Sequence, residues 1–336
     1  MKKNLYIILA AVLWVAEAPA IAGAQAVIDA KALEEHVEFL SDTLLQGRGR
    51  RSPGHEDAAF YIARHFERIG LKQFGGSYSM AFSVSDSLGI GHNIIGIRPA
   101  GGQASAARSS RYIIVGAHYD GIGTLDSLVY PGADANASGV AMMMEIARAL
   151  KTQKANVIFV AFDSFYDGRE GSRALLSALR KGTLKDPVTG RGILLSQVAL
   201  MVDIDQAGST RAPVHKARKD YLLALGCNSL PQSRRTLLQQ CNSTLYHDVA
   251  IPSPQAGAYP GPGLDLCYDY YGSDRFTKAF YHLGDRRCFI DAGIPALYFT
   301  SGITSITNSW RDAPATLDYP VMRLRASLIL TLLERY

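Results

Sequence analysis

The sequence lacks the features that mark several protein classes. Only 19% of its 336 residues are charged, and it has no long run of like charge, no heptad array and no internal repeat. The Gly-rich stretch at residues 45–54 does not follow a phosphate-binding pattern. These absences argue against a coiled coil, a repeat array and a nucleotide-binding loop at that position.

Cysteine is also scarce. The four cysteines lie in the C-terminal half without any CxxC spacing, which argues against a zinc ribbon. In an exported protein they are able to form two disulfides, with three possible connectivities. Proximity along the chain favours Cys227 with Cys241 and Cys267 with Cys288.

The N-terminus resembles a removable signal peptide. Lys2 and Lys3 precede an apolar run over residues 5–15, and a small-residue cleavage motif occupies residues 22–24. The apolar run is short for a membrane span. We therefore expect a signal peptide at residues 1–24 and a periplasmic or secreted protein, without a membrane span after cleavage, over residues 25–336.

The mature chain is only mildly basic. Cleavage removes two of the 35 basic and one of the 30 acidic residues, which leaves a net charge of +4. This charge is too small to indicate nucleic-acid binding.

Apolar residues make up 48% of the chain, enough for a sizeable core. Continuous apolar runs at residues 112–117, 157–162, 198–204 and 296–300 are typical of strands covered on both faces, and helical patterns lie between them. The alternation predicts one three-layer α/β domain with a mostly parallel sheet and helices on both faces. An irregular excursion at about 208–271, rich in Pro and Gly, is expected to cover the functional site.

The segment from Tyr112 to Gly139 contains the clearest candidates for functional residues. A strand-like run ends in His118-Tyr119-Asp120, and a loop leads to Gly132-Ala133-Asp134-Ala135-Asn136-Ala137-Ser138-Gly139 at the start of a helix. The carboxyl ends of strands are where open α/β sheets bind ligands. A His with an adjacent carboxylate at such an edge is a candidate metal ligand with an orienting partner.

This segment resembles the metal-binding motif of the zinc aminopeptidases of metallopeptidase family twenty-eight, whose relatives include glutaminyl cyclases. The resemblance extends over most of the chain after residue 36. It implies an aminopeptidase-like metallopeptidase that binds a peptide or protein and uses zinc. In that family two zinc ions share one aspartate.

The resemblance implies that the first zinc's ligands are present. His118 matches the family's histidine, Asp134 the shared aspartate and Asp205 the later aspartate, while Asp120 matches the carboxylate that orients the histidine. We therefore expect at most one zinc ion.

The same resemblance implies that the second zinc's ligands are replaced. In the ungapped stretch from Ala161 to Ser172, Phe165 takes the place of the general-base glutamate and Tyr166 that of the ligand glutamate. The final histidine is replaced by Arg286 or, in an alternative register, by Arg275. We hypothesise that one of these arginines pairs with Asp134 in place of the second ion.

Three acidic residues near these replacements, Asp163, Asp167 and Glu170, are expected to have surface or capping roles rather than to act as substitute bases. Tyr166 is expected to pack or hydrogen-bond rather than to act as a phenolate ligand.

Loss of the general base and of two ligands predicts that dizinc catalysis is lost or impaired, with peptide or metal binding retained. One alternative is an active exopeptidase or amidohydrolase with a rebuilt single-zinc site. Another is a metal-free structural or partner-binding domain.

Overall fold

The computed structural model describes residues 27–84, 89–101, 110–213, 218–248, 263–270 and 272–336. The predicted signal peptide lies outside these ranges. Within them, no helix combines the length and the apolar character needed to cross a membrane.

One eight-stranded sheet organises the described chain, with strands in the order β1-β2-β6-β3-β7-β10-β8-β9. Its strands are β1 (Ser79–Ser83), β2 (Ile90–Arg98), β3 (Tyr112–His118), β6 (Asn156–Phe162), β7 (Val198–Ile204), β8 (Tyr221–Leu225), β9 (Asp265–Cys267) and β10 (Ala296–Thr300). A separate antiparallel hairpin consists of β4 (Gly123–Leu125) and β5 (Leu128–Tyr130).

The centre of the sheet is parallel. Strands β6, β3, β7 and β10 run in the same direction as neighbours. Strands β2 and β8 pair antiparallel on the two sides of this centre. The carboxyl ends of the central strands therefore meet at one edge, and the predicted mostly parallel α/β sheet is confirmed.

Alternate residues of each central strand enter two different cores. In β3, Ile113 and Val115 join the larger cluster, whereas Ile114 joins the cluster on the opposite face. A strand covered on both sides needs apolar residues at every position, because successive side chains point to opposite faces. This explains the unbroken apolar runs in the sequence.

Helices cover both faces of the sheet. They are α1 (Ala30–Leu40), α2 (Pro53–Arg68), α3 (Gly139–Ala149), α4 (Glu170–Lys181), α5 (Gln232–Asp248), α6 (Asp274–Tyr281), α7 (Arg287–Asp291) and α8 (Tyr319–Arg335). Short helical turns occupy Thr43–Arg48, Ala133–Ser138, Leu195–Gln197, Cys227–Ser229 and Pro314–Thr316. Helix α2 starts at Pro53, because the Ser52 side chain accepts a hydrogen bond from the His55 amide and the proline suits the first turn.

The stretch predicted as an irregular excursion is partly regular. Between residues 208 and 271 the structure places β8, α5 and β9, and both strands extend the main sheet. The proline-rich part at residues 252–262 lies outside the described residues. The unbroken apolar run of β8 was an available signal that the sequence prediction missed, whereas β9 has only three residues, too few for a pattern.

The predicted disulfides are wrong in this structure, where all four cysteines are free thiols. Cys227 and Cys241 both pack in the larger cluster. Cys267 and Cys288, by contrast, contact different hydrophobic clusters, so their proximity in sequence does not bring their side chains together. Burial is the role that the structure gives these residues, as is common for free cysteines.

Candidate metal centre at the sheet edge

His118 is the last residue of β3 and is 3% exposed. Its Nδ1 lies 3.0 Å from the backbone oxygen of Asp120 and 3.8 Å from the Asp120 Oδ1. Its Nε2 lies 3.6 Å from Oδ1 of Asp205, which follows β7. The neighbouring parallel strands thus bring His118, Asp120 and Asp205 together, with Nε2 of the imidazole directed at Asp205.

Asp134 is buried in a cradle of hydrogen-bond donors. Its Oδ1 accepts from the backbone amides of Gly208 at 2.8 Å and Ser209 at 3.3 Å, and from the Ser138 hydroxyl at 3.2 Å. A Cβ at position 208 would lie 3.1 Å from that oxygen, so glycine allows the close approach. These contacts fix the carboxylate while its other oxygen, Oδ2, has no hydrogen-bond partner.

Among the described residues, the buried carboxylate oxygens at this edge without a hydrogen-bond partner are Asp134 Oδ2, Asp205 Oδ1, Asp120 Oδ1 and both oxygens of Asp285. Buried polar atoms are normally paired, so each unpaired one calls for an explanation such as an ion. One imidazole nitrogen and two carboxylate oxygens are also a donor set that suits zinc. The chemistry of His118, Asp134 and Asp205 therefore fits the metal that the resemblance implies.

The positions of these donors fit less closely than their chemistry. In the described part of the chain, one group of three ligand atoms lies within 4.8 Å of one another, and it comprises His36, His65 and Glu145. The predicted set does not meet that distance, because only His118 and Asp205 are brought into contact. Asp134 is held by its cradle instead.

The electrostatics of this edge reflect crowded acidic groups. Burial alone would lower the pKa of His118, but the Asp205, Asp120 and Asp285 carboxylates outweigh it and raise that pKa to about 9. Burial raises the pKa of Asp134 to about 7, with a further contribution from the Asp312 charge. Without a bound cation, a proton on the imidazole and a proton on Asp134 would balance the negative charge.

Phe165, which the resemblance aligns with the family's general base, covers the imidazole. Its ring is stacked on the His118 ring, with centroids 4.0 Å apart and an interplanar angle of 11°. A phenyl ring accepts no proton, so this face of the site has no base at the expected position. Phe165 instead shields one face of His118 from water.

Tyr166 points away from a ligand role. It is 41% exposed, and its hydroxyl donates to Asn308 Oδ1 at 3.1 Å. Burial of the hydroxyl, together with the Asp205 and Asp120 charges, raises the pKa of Tyr166, so a phenolate is disfavoured. This agrees with the expected hydrogen-bonding role.

The hypothesis that Arg286 or Arg275 pairs with Asp134 is wrong in this structure. Arg286 is 1% exposed, and its Nη1 donates to Asp203 Oδ2 at 2.7 Å. Its guanidinium also lies 3.4 Å over the Tyr298 ring. Arg275 is exposed on α6. The buried arginine therefore neutralises a different carboxylate, two residues before Asp205.

The expected surface or capping role is also wrong for Asp163, which is fully buried. Its Oδ1 lies 2.9 Å from His55 Nε2, and its two oxygens accept backbone amide hydrogens from His92 and Ser164. With its acceptors occupied, Asp163 has a structural role. Asp167 forms an ion pair with Arg50, and Glu170 begins α4.

Three residues that support the site were missed in the sequence. Asp312 accepts hydrogen bonds from the amides of Asp134 and Ala135 at 2.8 and 3.0 Å. Arg48 is buried and donates to the carbonyl groups of Tyr119, Pro131 and Gly132. Asp203 shares a strand face with Asp205, and this period-two spacing was an available signal. Asp312 lies 178 residues from Asp134 along the chain, and the sequence contained no signal for its role.

The parallel centre and the ligand-type residues at its carboxyl edge define an α/β fold with a candidate metal site. Residues 93–250 match the family model for peptidase family M28. The predicted resemblance to the zinc aminopeptidase family is thereby confirmed over this segment, which includes His118, Asp134 and Asp205.

Two curated relatives are similar to part of the chain. The uncharacterized protein YfbL of Escherichia coli (strain K12) is 33% identical over 178 residues, which cover 48% of this chain and 52% of that protein. A probable zinc metalloprotease of Pyrenophora tritici-repentis (strain Pt-1C-BFP) is 23% identical over 201 residues, which cover 56% of this chain and 42% of that protein. The chain thus spans about half the length of these curated relatives.

Solved structures resemble the whole fold. BSAP, a zinc aminopeptidase from Bacillus subtilis, superposes with a TM-score of 0.64 at 12% identity over 92% of this chain and 95% of that chain. A glutaminyl cyclase of Fimbriiglobus ruber gives 0.62 at 16% identity, with coverage of 92% and 96%. LapB of Legionella pneumophila gives 0.64 at 17% identity, with coverage of 91% and 71%. At these identities the likeness establishes the fold alone.

Proposed function

We propose that this protein is an exported, aminopeptidase-like protein that binds peptides at a site with a single zinc and does not hydrolyse them by the dizinc mechanism. The observation that carries the proposal is the stack of Phe165 on His118, because it fills the general-base position with a group unable to hold a proton. Loss of a general base costs about 10²- to 10⁴-fold in rate.

The zinc would be held by His118 and Asp205, with Asp134 as the third ligand. It would supply positive charge to a bound carbonyl or carboxylate group. The chain's own groups support binding rather than turnover. Asp163 already accepts hydrogen bonds from His55 and from backbone amides, and the Tyr166 hydroxyl donates to Asn308. The Asp134 carboxylate is oriented by backbone amides such as that of Gly208.

The alternative of an active hydrolase with a rebuilt single-metal site is favoured by one observation. Asp285 is 1% exposed, and neither of its carboxylate oxygens has a hydrogen-bond partner. It lies close enough to His118 for its charge to act on that imidazole. An unpaired buried carboxylate beside a metal ligand is a candidate for a replacement base.

The deciding experiment measures zinc content, peptide binding and turnover on one preparation of the mature protein purified without chelator. We expect the wild-type protein to hold about one zinc per chain more than His118→Ala, to bind short peptides with a free N-terminus in calorimetry, and to release no amino acids from a panel of aminoacyl substrates. His118→Ala should lose that zinc and the peptide binding. His92→Ala, which removes an exposed histidine outside the site, should lose neither.

Zinc-dependent turnover that disappears in Asp285→Asn would establish the hydrolase alternative instead. Peptide binding that is unchanged in His118→Ala would place binding elsewhere on the protein. A protein that binds neither zinc at this edge nor peptide would support a metal-free structural role.

A further inference from the structure

A second cluster of ligand-type side chains lies where three helices meet, away from the sheet edge. His36 of α1, His65 of α2 and Glu145 of α3 are each at most 5% exposed. Their ligand atoms all lie within 4.8 Å of one another. Nothing in the proposed peptide-binding site uses these residues.

We propose that His36, His65 and Glu145 form a binding site for a divalent transition metal of the zinc class that fastens α1, α2 and α3 together. Two imidazoles and one carboxylate are a common zinc donor set, and imidazole favours zinc, copper, nickel and cobalt over magnesium and calcium. Each ligand comes from a different helix, so a metal here would cross-link three separate parts of the chain.

The spacing is close to that of a tetrahedral site. With metal–ligand bonds of 2.0–2.2 Å, neighbouring ligand atoms of a tetrahedral zinc stand about 3.3 Å apart. His36 Nε2 lies 3.8 Å from Glu145 Oε1, which is beyond hydrogen-bonding distance. To reach tetrahedral spacing, these two atoms would have to approach each other by about half an ångström. The other pairs of ligand atoms in the cluster would have to approach by about 1.5 Å at most.

The surroundings hold the ligands in place. His36 Nδ1 lies 2.7 Å from the Tyr61 hydroxyl, which orients the ring and leaves Nε2 directed at Glu145. The His36 and His65 rings are in edge-to-face contact, with centroids 4.8 Å apart. Hydrogen bonding of the distal ring nitrogen is the usual means of fixing a metal-binding histidine.

An entry path exists from solvent. A groove of about 500 Å³ runs over the cluster, and its lining includes His36, His65 and Glu145 as well as Asp29 and Glu35. The lining also includes Arg68 and Arg148, so the two additional carboxylates offset the charge of these arginines.

Two arginines compete with the metal. Arg148 Nε and Nη2 each donate to a Glu145 oxygen at 2.8 Å, and Arg68 Nη2 lies 3.0 Å from His65 Nδ1. Arg68 is exposed and the Arg148 side chain is 36% exposed, so both can turn towards solvent. The bidentate Arg148 contact is the stronger competitor, which makes the affinity for metal dependent on this residue.

The test uses the full mature chain with His118→Ala as background, so that the sheet-edge site does not contribute. Apo protein is titrated with Zn²⁺ by calorimetry and with Co²⁺ by visible absorption, whose intensity reports low-symmetry coordination. We expect one equivalent to bind, and Arg148→Gln to tighten binding about tenfold because a charge-assisted contact to Glu145 is removed.

In the same background, Glu145→Gln and His65→Gln should each abolish this equivalent, whereas the matched control His92→Ala should retain it. Circular dichroism and the metal-free melting temperature establish whether each variant is folded. If Glu145→Gln or His65→Gln does not fold, His36→Gln tests the third ligand instead. Absence of binding in a folded His118→Ala protein overturns the proposal. So does binding that survives in folded Glu145→Gln and His65→Gln variants. Because the readout is made without the His118 site, neither result depends on the proposed peptide binding.

Discussion

The two sides of the sheet-edge site differ in how their polar atoms are satisfied. The resemblance assigns His118, Asp134 and Asp205 to a retained side, and Phe165, Tyr166 and Arg286 to a replaced side. On the retained side, two buried carboxylate oxygens have no hydrogen-bond partner. On the replaced side, the arginine donates to Asp203 and to two backbone carbonyls, and the tyrosine hydroxyl donates to a neighbour.

Unpaired buried polar atoms cost folding free energy, whereas a satisfied buried network does not carry that penalty. Under the proposed function, the contrast separates residues that bind a ligand from residues that stabilise the fold. It also implies that changes on the two sides should have opposite effects on the metal-free protein.

The largest effect is expected at the buried ion pair of the replaced side. Arg286→Met leaves Asp203 buried without its partner and should lower the free energy of unfolding by about 3–5 kcal/mol. Urea unfolding of the metal-free protein measures this. The exposed Arg275→Met is the matched control and should stay within about 0.5 kcal/mol of wild type. Equal effects of the two changes would mean that the Asp203 contact does not support the fold.

The retained side should behave in the opposite way. Burial raises the pKa of Asp134 to about 7, so the folded state binds this proton more tightly than the unfolded chain. The stabilisation from that proton is complete below about pH 4 and is lost as pH rises through 7. Asp134→Asn carries no charge at any pH.

With chelator present, Asp134→Asn should therefore match wild type at pH 4 and be more stable by about 4 kcal/mol at pH 8, as read from denaturant unfolding at each pH. The same variant should lose affinity for zinc. A variant that is less stable than wild type at pH 8 would show that the carboxylate serves the fold rather than a ligand.

A smaller effect on stability is expected from changing Phe165, whose ring covers His118. Phe165→Leu removes the stack on His118 and keeps an apolar side chain, which should cost about 1 kcal/mol of unfolding free energy. Phe60→Leu, at a position that is 67% exposed, is the control. If the cover also limits water access, zinc exchange measured with a competing chelator should be faster in Phe165→Leu only.

The smallest effect is expected at Tyr166. Removing its hydroxyl in Tyr166→Phe loses one hydrogen bond to Asn308 at the surface and should change stability by about 0.5 kcal/mol or less. Zinc content should be unchanged. A loss of zinc in this variant would instead make the phenol a ligand, and the division into two sides would fail.

The sequence predicted the parallel centre well, because strands covered on both faces leave unbroken apolar runs that are hard to mistake. It also predicted which residues reach the carboxyl edge of the sheet, since His118 and Asp205 each lie at the end of such a run. These features depend on local pattern and on the topology of parallel strands.

Contacts between distant residues were not predictable in the same way. The register placed Arg286 near the site but did not reveal that its partner is Asp203, because the choice between two nearby carboxylates depends on side-chain geometry. The burial of Asp163 depends on His55, 108 residues away. The free cysteines show the same limit, since closeness in sequence did not indicate which hydrophobic cluster each thiol enters.

Those four thiols give the protein a set of internal reporters. Cys241 lies in the larger cluster, Cys267 in the cluster around β8, and Cys288 beside the cluster on the opposite sheet face. Burial raises the pKa of Cys241 to about 11, and the pKa values of Cys267 and Cys288 to about 12, so the native thiols should react slowly with alkylating reagents. Timed alkylation followed by mass spectrometry would therefore show, without any engineered cysteine, which part of the molecule opens first.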